Sequence, residues 1–250
     1  MNWQSLYDVK QAEIRQLTSM TLSEVTPSIR SFAQSVTTHK QDLALIAGLK
    51  RREPQTGRCW ASRDLVSLAQ ECDDAEVGAV GVYTEPSVFG TSMDDLRAIS
   101  AAVSAPVLRL DLILHPNQIH QARLYGADAV LLHAGAVDLA TLTTLVRVAS
   151  SAHVAPVVVV QTPAELEQAL AAEALILGLT SPSGTLDLAR LEAVIRLVPP
   201  QKTLIALDPI NSADECAALR GKVDAALVSE AILDASDGGG ALTHLARPSG

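Results

Sequence analysis

Beyond about residue 40 the chain alternates short apolar runs with longer stretches whose apolar positions recur three and four residues apart. The apolar runs cover 43–49, 78–84, 106–112, 128–132, 156–161, 174–179, 203–207 and 224–229. Near-continuous Val, Ile and Leu runs of this length predict parallel strands buried on both faces. The stretches between them, including 92–103, 116–125, 137–150 and 163–172, predict helices. Two helix starts carry explicit signals: Ser92 ahead of Asp94 and Asp95, and Thr162 as a cap ahead of Pro163. Upstream, Leu6, Val9, Ile14, Leu17 and Leu22 recur at helical spacing, Pro27 ends that element, and 29–36 form a second short one. A Gly-rich turn at 236–240 precedes a last short helix at 242–246.

Eight strand–helix units suit either a closed (β/α)8 barrel or an open doubly wound sheet. No Gly-rich dinucleotide fingerprint follows the first strand, which favours the α/β TIM barrel. The expected organisation is a single domain over 1–250, with an N-terminal helical extension at 1–42 and the barrel at 43–250. The length of 250 residues suits one such barrel.

Composition narrows the partners. Twenty-eight acidic residues against 19 basic ones leave a net charge of -9, and no Lys/Arg cluster of the size a duplex-binding surface needs is present. Nucleic acid and anionic membranes are therefore poor partners. Aromatic residues make up only 3% of the chain, so Ala, Val, Leu and Ile must fill the core. Cys59, Cys72 and Cys216 are widely spaced, as expected of buried thiols in a reducing compartment. Neither a basic-then-apolar leader nor a long apolar span is present in the sequence, and a cytoplasmic location is expected.

Two segments carry a family resemblance. One is Ala79-Val-Gly-Val-Tyr-Thr-Glu85 with Phe89 and Ser92-Met-Asp-Asp-Leu96. The other is Pro106-Val-Leu-Arg-Leu-Asp-Leu112, continuing through Gln118-Ile119 and Ala122-Arg123 to Gly126-Ala-Asp-Ala-Val-Leu-Leu132. Together they resemble strands 2 to 4 of indole-3-glycerol-phosphate synthase, and weaker similarity extends over nearly the whole chain. The resemblance implies a site at the C-terminal ends of the strands and a cofactor-independent, metal-free ring closure. In that reaction a carboxylated anilino-deoxyribulose phosphate loses carbon dioxide and water. The chemistry needs a proton donor, a second acid/base group, a cation for the carboxylate and amides for the phosphate.

Lys50 matches the family lysine that pairs with the carboxylate. Most other positions depart. Gly48 stands where the resemblance implies a glutamate, Leu110 at the general-acid lysine, and Val159 at a second glutamate. Glu53 replaces a serine, and Thr180 and Pro182 replace an asparagine and an arginine. Pro209 replaces a phosphate-binding glycine beside Asp208, and Ser229 replaces another. Loss of acid/base groups costs about 100- to 10,000-fold each.

If Lys50 and Leu131 face inward, as the resemblance implies, strand alternation turns Tyr83, Leu110, His133, Gln161, Thr180 and Leu207 inward too. Lys50, His133 and Asp208 are the candidate catalytic groups. Tyr83, Phe89, Leu131, Gln161 and Thr180 are the candidate substrate contacts. His133 is either an acid/base near neutral pH or a hydrogen-bonded structural histidine. Arg109 and Asp111 alternate outward and are expected to brace the sheet against helices. His115 and His120 are poorly spaced for a metal, and His39, His153 and His244 are expected at the surface. Ser181-Pro-Ser-Gly184 is either an anion cradle or a plain turn. The functional expectation is a synthase-like barrel without ordinary synthase activity, which binds a small molecule at its C-terminal face or a protein partner. The alternatives are a diverged enzyme of secondary metabolism using Lys50, His133 and Asp208, and residual synthase activity.

Overall fold

The computed structural model describes residues 3–17, 28–37 and 43–246. Leu22, Pro27 and His39 lie outside them. Eight parallel strands close in sequence order, with β8 pairing back onto β1. They are β1 (Ala44–Leu49), β2 (Ala79–Tyr83), β3 (Val107–Leu110), β4 (Ala129–His133), β5 (Ala155–Val160), β6 (Ile176–Leu179), β7 (Thr203–Ile210) and β8 (Ala225–Val228). All eight fall on the expected apolar runs, and the fold is the (β/α)8 TIM barrel.

Two helices precede the barrel, α1 (Trp3–Gln16) and α2 (Phe32–Thr37). Around the sheet run α3 (Leu65–Asp74), α4 (Pro86–Phe89), α5 (Met93–Ala102), α6 (Pro116–Leu124), α7 (Leu139–Ser151), α8 (Pro163–Ala171), α9 (Leu188–Ile195) and α10 (Ala213–Leu219). The chain ends on α11 (Glu230–Asp234) and α12 (Gly238–Ala246). Short polar side chains set the helix starts: Ser92 and Asp95 form a capping box, and Thr162 accepts from the Glu165 amide ahead of Pro163. No helix among the described residues is long and apolar enough to cross a membrane.

The apolar core has two layers. One lies between sheet and helices; the other fills the barrel with Ile46, Leu108, Val157, Ile205 and their neighbours. Phe32 and Val36 of α2 join the inner layer against Ala44 and Ala79, so α2 plugs the end of the barrel opposite the strand C-termini. Arg30 fastens that end by pairing with Asp128 at 2.8 Å and donating to the Gly126 carbonyl at 3.0 Å.

Three details depart from expectation. Val9 faces solvent; the buried face of α1 carries Leu6 and Lys10, four residues apart. Cys72 and Cys216 are buried, and burial pushes the Cys72 thiol up to about 12, but Cys59 is exposed in the loop after β1. The Gly-rich segment is not a turn throughout, because α12 begins at Gly238. Close approach of α3 explains Gly238 and Gly239: a Cβ on Gly239 would lie 2.5 Å from the Glu71 carbonyl oxygen. Ala at 239 gains about 1 kcal/mol of helix propensity but forces the helices apart. Gly239→Ala should therefore lower stability by about 1–2 kcal/mol net. A denaturation midpoint at or above wild type would contradict this packing account.

Candidate functional site

The strand C-termini open into a cavity of about 230 Å³. Tyr83, Phe89, Leu110, Leu131, His133, Gln161, Thr180 and Leu207 all line it, so the side chains that strand alternation turns inward converge on one space. Its floor is hydrocarbon, from Leu110, Leu131, Val159, Leu207 and Leu227, and Leu6 of α1 closes it from above. Lys50 and Asp208 line an adjoining outer cavity of about 440 Å³, which shares Tyr83, Phe89, Thr180 and Leu207 with the first. His133 lines the inner cavity and not the outer one.

Glycines on neighbouring strands make room for the leucine floor. A Cβ on Gly81 would come within 2.7 Å of Leu110 Cδ1, one on Gly178 within 2.4 Å of Leu207 Cδ1, and one on Gly48 within 3.0 Å of Leu227 Cδ1. Each leucine thus leans over a strand position that has no side chain. At Gly48 a side chain would need Leu227 to shift by a few tenths of an ångström. Leu110 and Val159 are both buried in this layer and carry no proton to transfer.

Lys50 is almost fully buried and already neutralised. Its Nζ donates to Glu230 Oε1 at 2.7 Å and to Glu53, and lies 5.1 Å from the Tyr83 ring centre. Burial opposes its charge, but Tyr83, Glu230 and the hydrogen bonds it donates to both carboxylates overcome it and raise its pKa. Lys50 is a fixed cation held in a carboxylate clasp. Glu53, where the resemblance implies a serine, forms one arm of that clasp.

Asp208 stands where β7 becomes irregular between Ala206 and Ile210. Pro209 has no amide proton, so the ladder is interrupted there and the strand continues past its expected end at 207. The Asp208 carboxylate is 4% exposed and accepts from Thr180 Oγ1 at 2.6 Å and the Ser181 amide at 2.8 Å. Burial raises its pKa against those bonds, and no cation pairs with it among the described residues. The 181–184 segment is a turn, and its first amide points at a carboxylate. Ser229, at another position where the resemblance implies a phosphate glycine, donates its hydroxyl to the Gly48 carbonyl at 2.8 Å.

Burial lowers the His133 pKa to about 4, opposed by Asp111, so the imidazole is neutral at pH 7. Tyr83 packs on Phe89 with ring centres 4.5 Å apart. Arg109 is fully buried and braces the sheet, donating to Thr84, the Gln118 carbonyl, Gln121 and Asp111. Asp111 does more than brace. It receives Lys10 Nζ at 2.7 Å and also reaches the wall of the inner cavity. Lys10, a residue that sequence reasoning missed, pairs in addition with Glu85 at 2.9 Å and Glu13 at 2.8 Å, pinning α1 over the barrel mouth. The available signal was its place four residues after Leu6 on the buried face. His115 caps α6, and His153 and His244 are exposed.

Comparison with known proteins agrees with this architecture. The chain is 34% identical over 208 residues to the indole-3-glycerol phosphate synthase of Mycobacteroides abscessus, covering 81% of this chain and 76% of the relative. The same identity and coverage hold for the enzyme of Mycobacterium leprae strain TN, and a Mycobacterium strain KMS relative is 35% identical with the same coverage. Among solved structures, 3-hexulose-6-phosphate synthase from Salmonella typhimurium superposes with a TM-score of 0.63 at 18% identity, covering 82% of this chain and 97% of that one. Thiamine phosphate pyrophosphorylase from Pyrococcus furiosus gives 0.59 at 17%, covering 82% and 94%. These two likenesses speak to the fold alone. A family model described as indole-3-glycerol phosphate synthase matches residues 3–245, and the chain belongs to that family.

Proposed function

We propose that this family member does not run the ordinary synthase reaction and instead uses its C-terminal cavity to bind a non-phosphorylated small molecule. The observation that carries the reading is the pair Leu110 and Val159, buried hydrocarbon at the two positions where the resemblance implies acid/base groups. Two further features support it. Glu53 and Glu230 already occupy the Lys50 ammonium that would meet a substrate carboxylate. Pro209, where the resemblance implies a phosphate-binding glycine, has no N–H to donate, and Asp208 beside it adds negative charge, which disfavours a phosphate.

The test is complementation of a tryptophan auxotroph lacking the synthase, together with turnover of the family substrate by the purified chain. Neither growth nor indole-3-glycerol phosphate formation is expected; growth at the normal rate would overturn the reading. Installing both lost groups, Leu110→Lys with Val159→Glu, should still restore little activity, because the phosphate positions remain altered. Strong rescue would show that the floor alone was limiting.

A second reading, a diverged enzyme using Lys50, His133 and Asp208, draws on the neutral imidazole in the wall of the inner cavity. In it His133 serves as a proton acceptor. Turnover of a non-phosphorylated substrate that His133→Ala abolishes, with the fold intact, would favour it over simple binding.

A further inference from the structure

We propose that the ligand is a cationic arylalkylamine, its ring on the leucine floor and its ammonium at Asp208. This rests on the binding reading above and names the ligand class. The floor is hydrocarbon and suits an apolar ring, while Tyr83 and Phe89, shared by the inner and outer cavities, supply the aromatic wall between them. Four carboxylates line the outer cavity, Glu53, Asp208, Glu215 and Glu230, against two cations. Both cations are engaged: Lys50 by Glu53 and Glu230, and Arg58 by Asp234. An entering anion thus meets uncompensated negative charge.

Asp208 is the focus because it is a buried carboxylate that, among the described residues, is met by neutral donors, the Thr180 hydroxyl and Ser181. A carboxylate offers about four acceptor sites, so it has room for an N–H donor. Burying an anion without a cation is costly, and an ammonium offsets that cost while forming a charge-assisted hydrogen bond. Thr180 and Leu207 line both cavities, so an ammonium at Asp208 and a ring on the floor belong to one continuous path.

The probes are tryptamine and indole-3-propionate, which share a ring and a similar chain length but carry opposite charge. Each is titrated calorimetrically into the full chain at neutral pH. Tryptamine should bind at least about ten-fold more tightly, equivalent to about 1.4 kcal/mol. Asp208→Asn should bring the two affinities within about three-fold of each other. Glu53→Gln releases one arm of the Lys50 clasp without touching the floor, and it should move the ratio toward the carboxylate. Equal or tighter binding of the propionate, no binding of tryptamine at millimolar concentration, or an unchanged ratio in both variants would overturn the assignment. Turnover of the phosphorylated family substrate would instead sink the underlying reading, whichever way the titrations fall.

Discussion

Replacing Asp111 with alanine should destabilise the barrel by about 3–5 kcal/mol, read as a shift in the denaturation midpoint. Asp111 Oδ2 receives Lys10 Nζ at 2.7 Å, Arg109 Nη2 at 2.7 Å and Thr84 Oγ1 at 2.8 Å, and Oδ1 accepts from the Leu112 amide at 2.8 Å. All three charged residues are buried. Truncation would leave two cations facing each other in a low-dielectric interior, Lys10 still held by Glu13 at 2.8 Å and Glu85 at 2.9 Å but Arg109 left with Glu13 at 3.4 Å. Asp111→Asn keeps the shape but removes the charge, so it should recover only part of the loss. Burial alone would raise the Asp111 carboxyl, but Arg109 and Lys10 overcome it and hold its pKa below the ordinary value. The sign follows: this stability is fully present above the unfolded aspartate pKa near 3.9 and disappears as pH falls through the lower folded value. A loss under about 1 kcal/mol in the alanine variant would mean that the network contributes little.

The contrast between what periodicity reveals and what it hides runs through this same network. Strands β1 to β8 were legible because each is buried on both faces and reads as a run of branched residues, a local property. Inward orientation was equally legible, since alternation is strict: Tyr83, Leu110, Leu131, His133, Gln161, Thr180 and Leu207 share one cavity wall. The docking of α1 was not, because Lys10 meets a carboxylate 101 positions away, and nothing in its own segment announces a buried lysine. The clasp on Lys50 was hidden for the same reason: one arm is three residues away and the other 180. The family resemblance placed Lys50 at the mouth, but only three-dimensional proximity shows that its charge is already answered.

The site therefore differs from the chemistry implied by the family resemblance in two separable ways. On the proposed reading the floor carries Leu110 and Val159 where the resemblance implies proton-transfer groups, and leucines lean over the glycines at 48, 81 and 178. The rim carries the negative charge of Glu53 and Asp208. Either change alone disfavours the family substrate, but they act on different parts of a ligand. The floor decides whether bonds to carbon can be remade, and the rim decides which charge can enter. A variant that repairs the floor should consequently leave the rim's preference untouched, and this separation makes the two proposals independently testable.

Between pH 7 and pH 4 the fold should lose about 2–3 kcal/mol of stability through His133 alone. Burial holds its folded pKa near 4, against an ordinary value of 6.5, with Asp111 opposing. Over that window the unfolded chain takes up a proton that the folded imidazole refuses, so stability falls as the pH drops and levels off below about 4. His133→Gln removes the titration and keeps a polar side chain in the cavity wall; its stability should vary less steeply with pH between 6.5 and 4 than that of the wild type. Identical slopes would contradict the burial argument, because an imidazole hydrated as in water would titrate alike in both states. The same shift constrains chemistry. With a pKa near 4, about one imidazole in a thousand is protonated at pH 7, so His133 is neutral there and any reaction in this cavity finds its acid elsewhere.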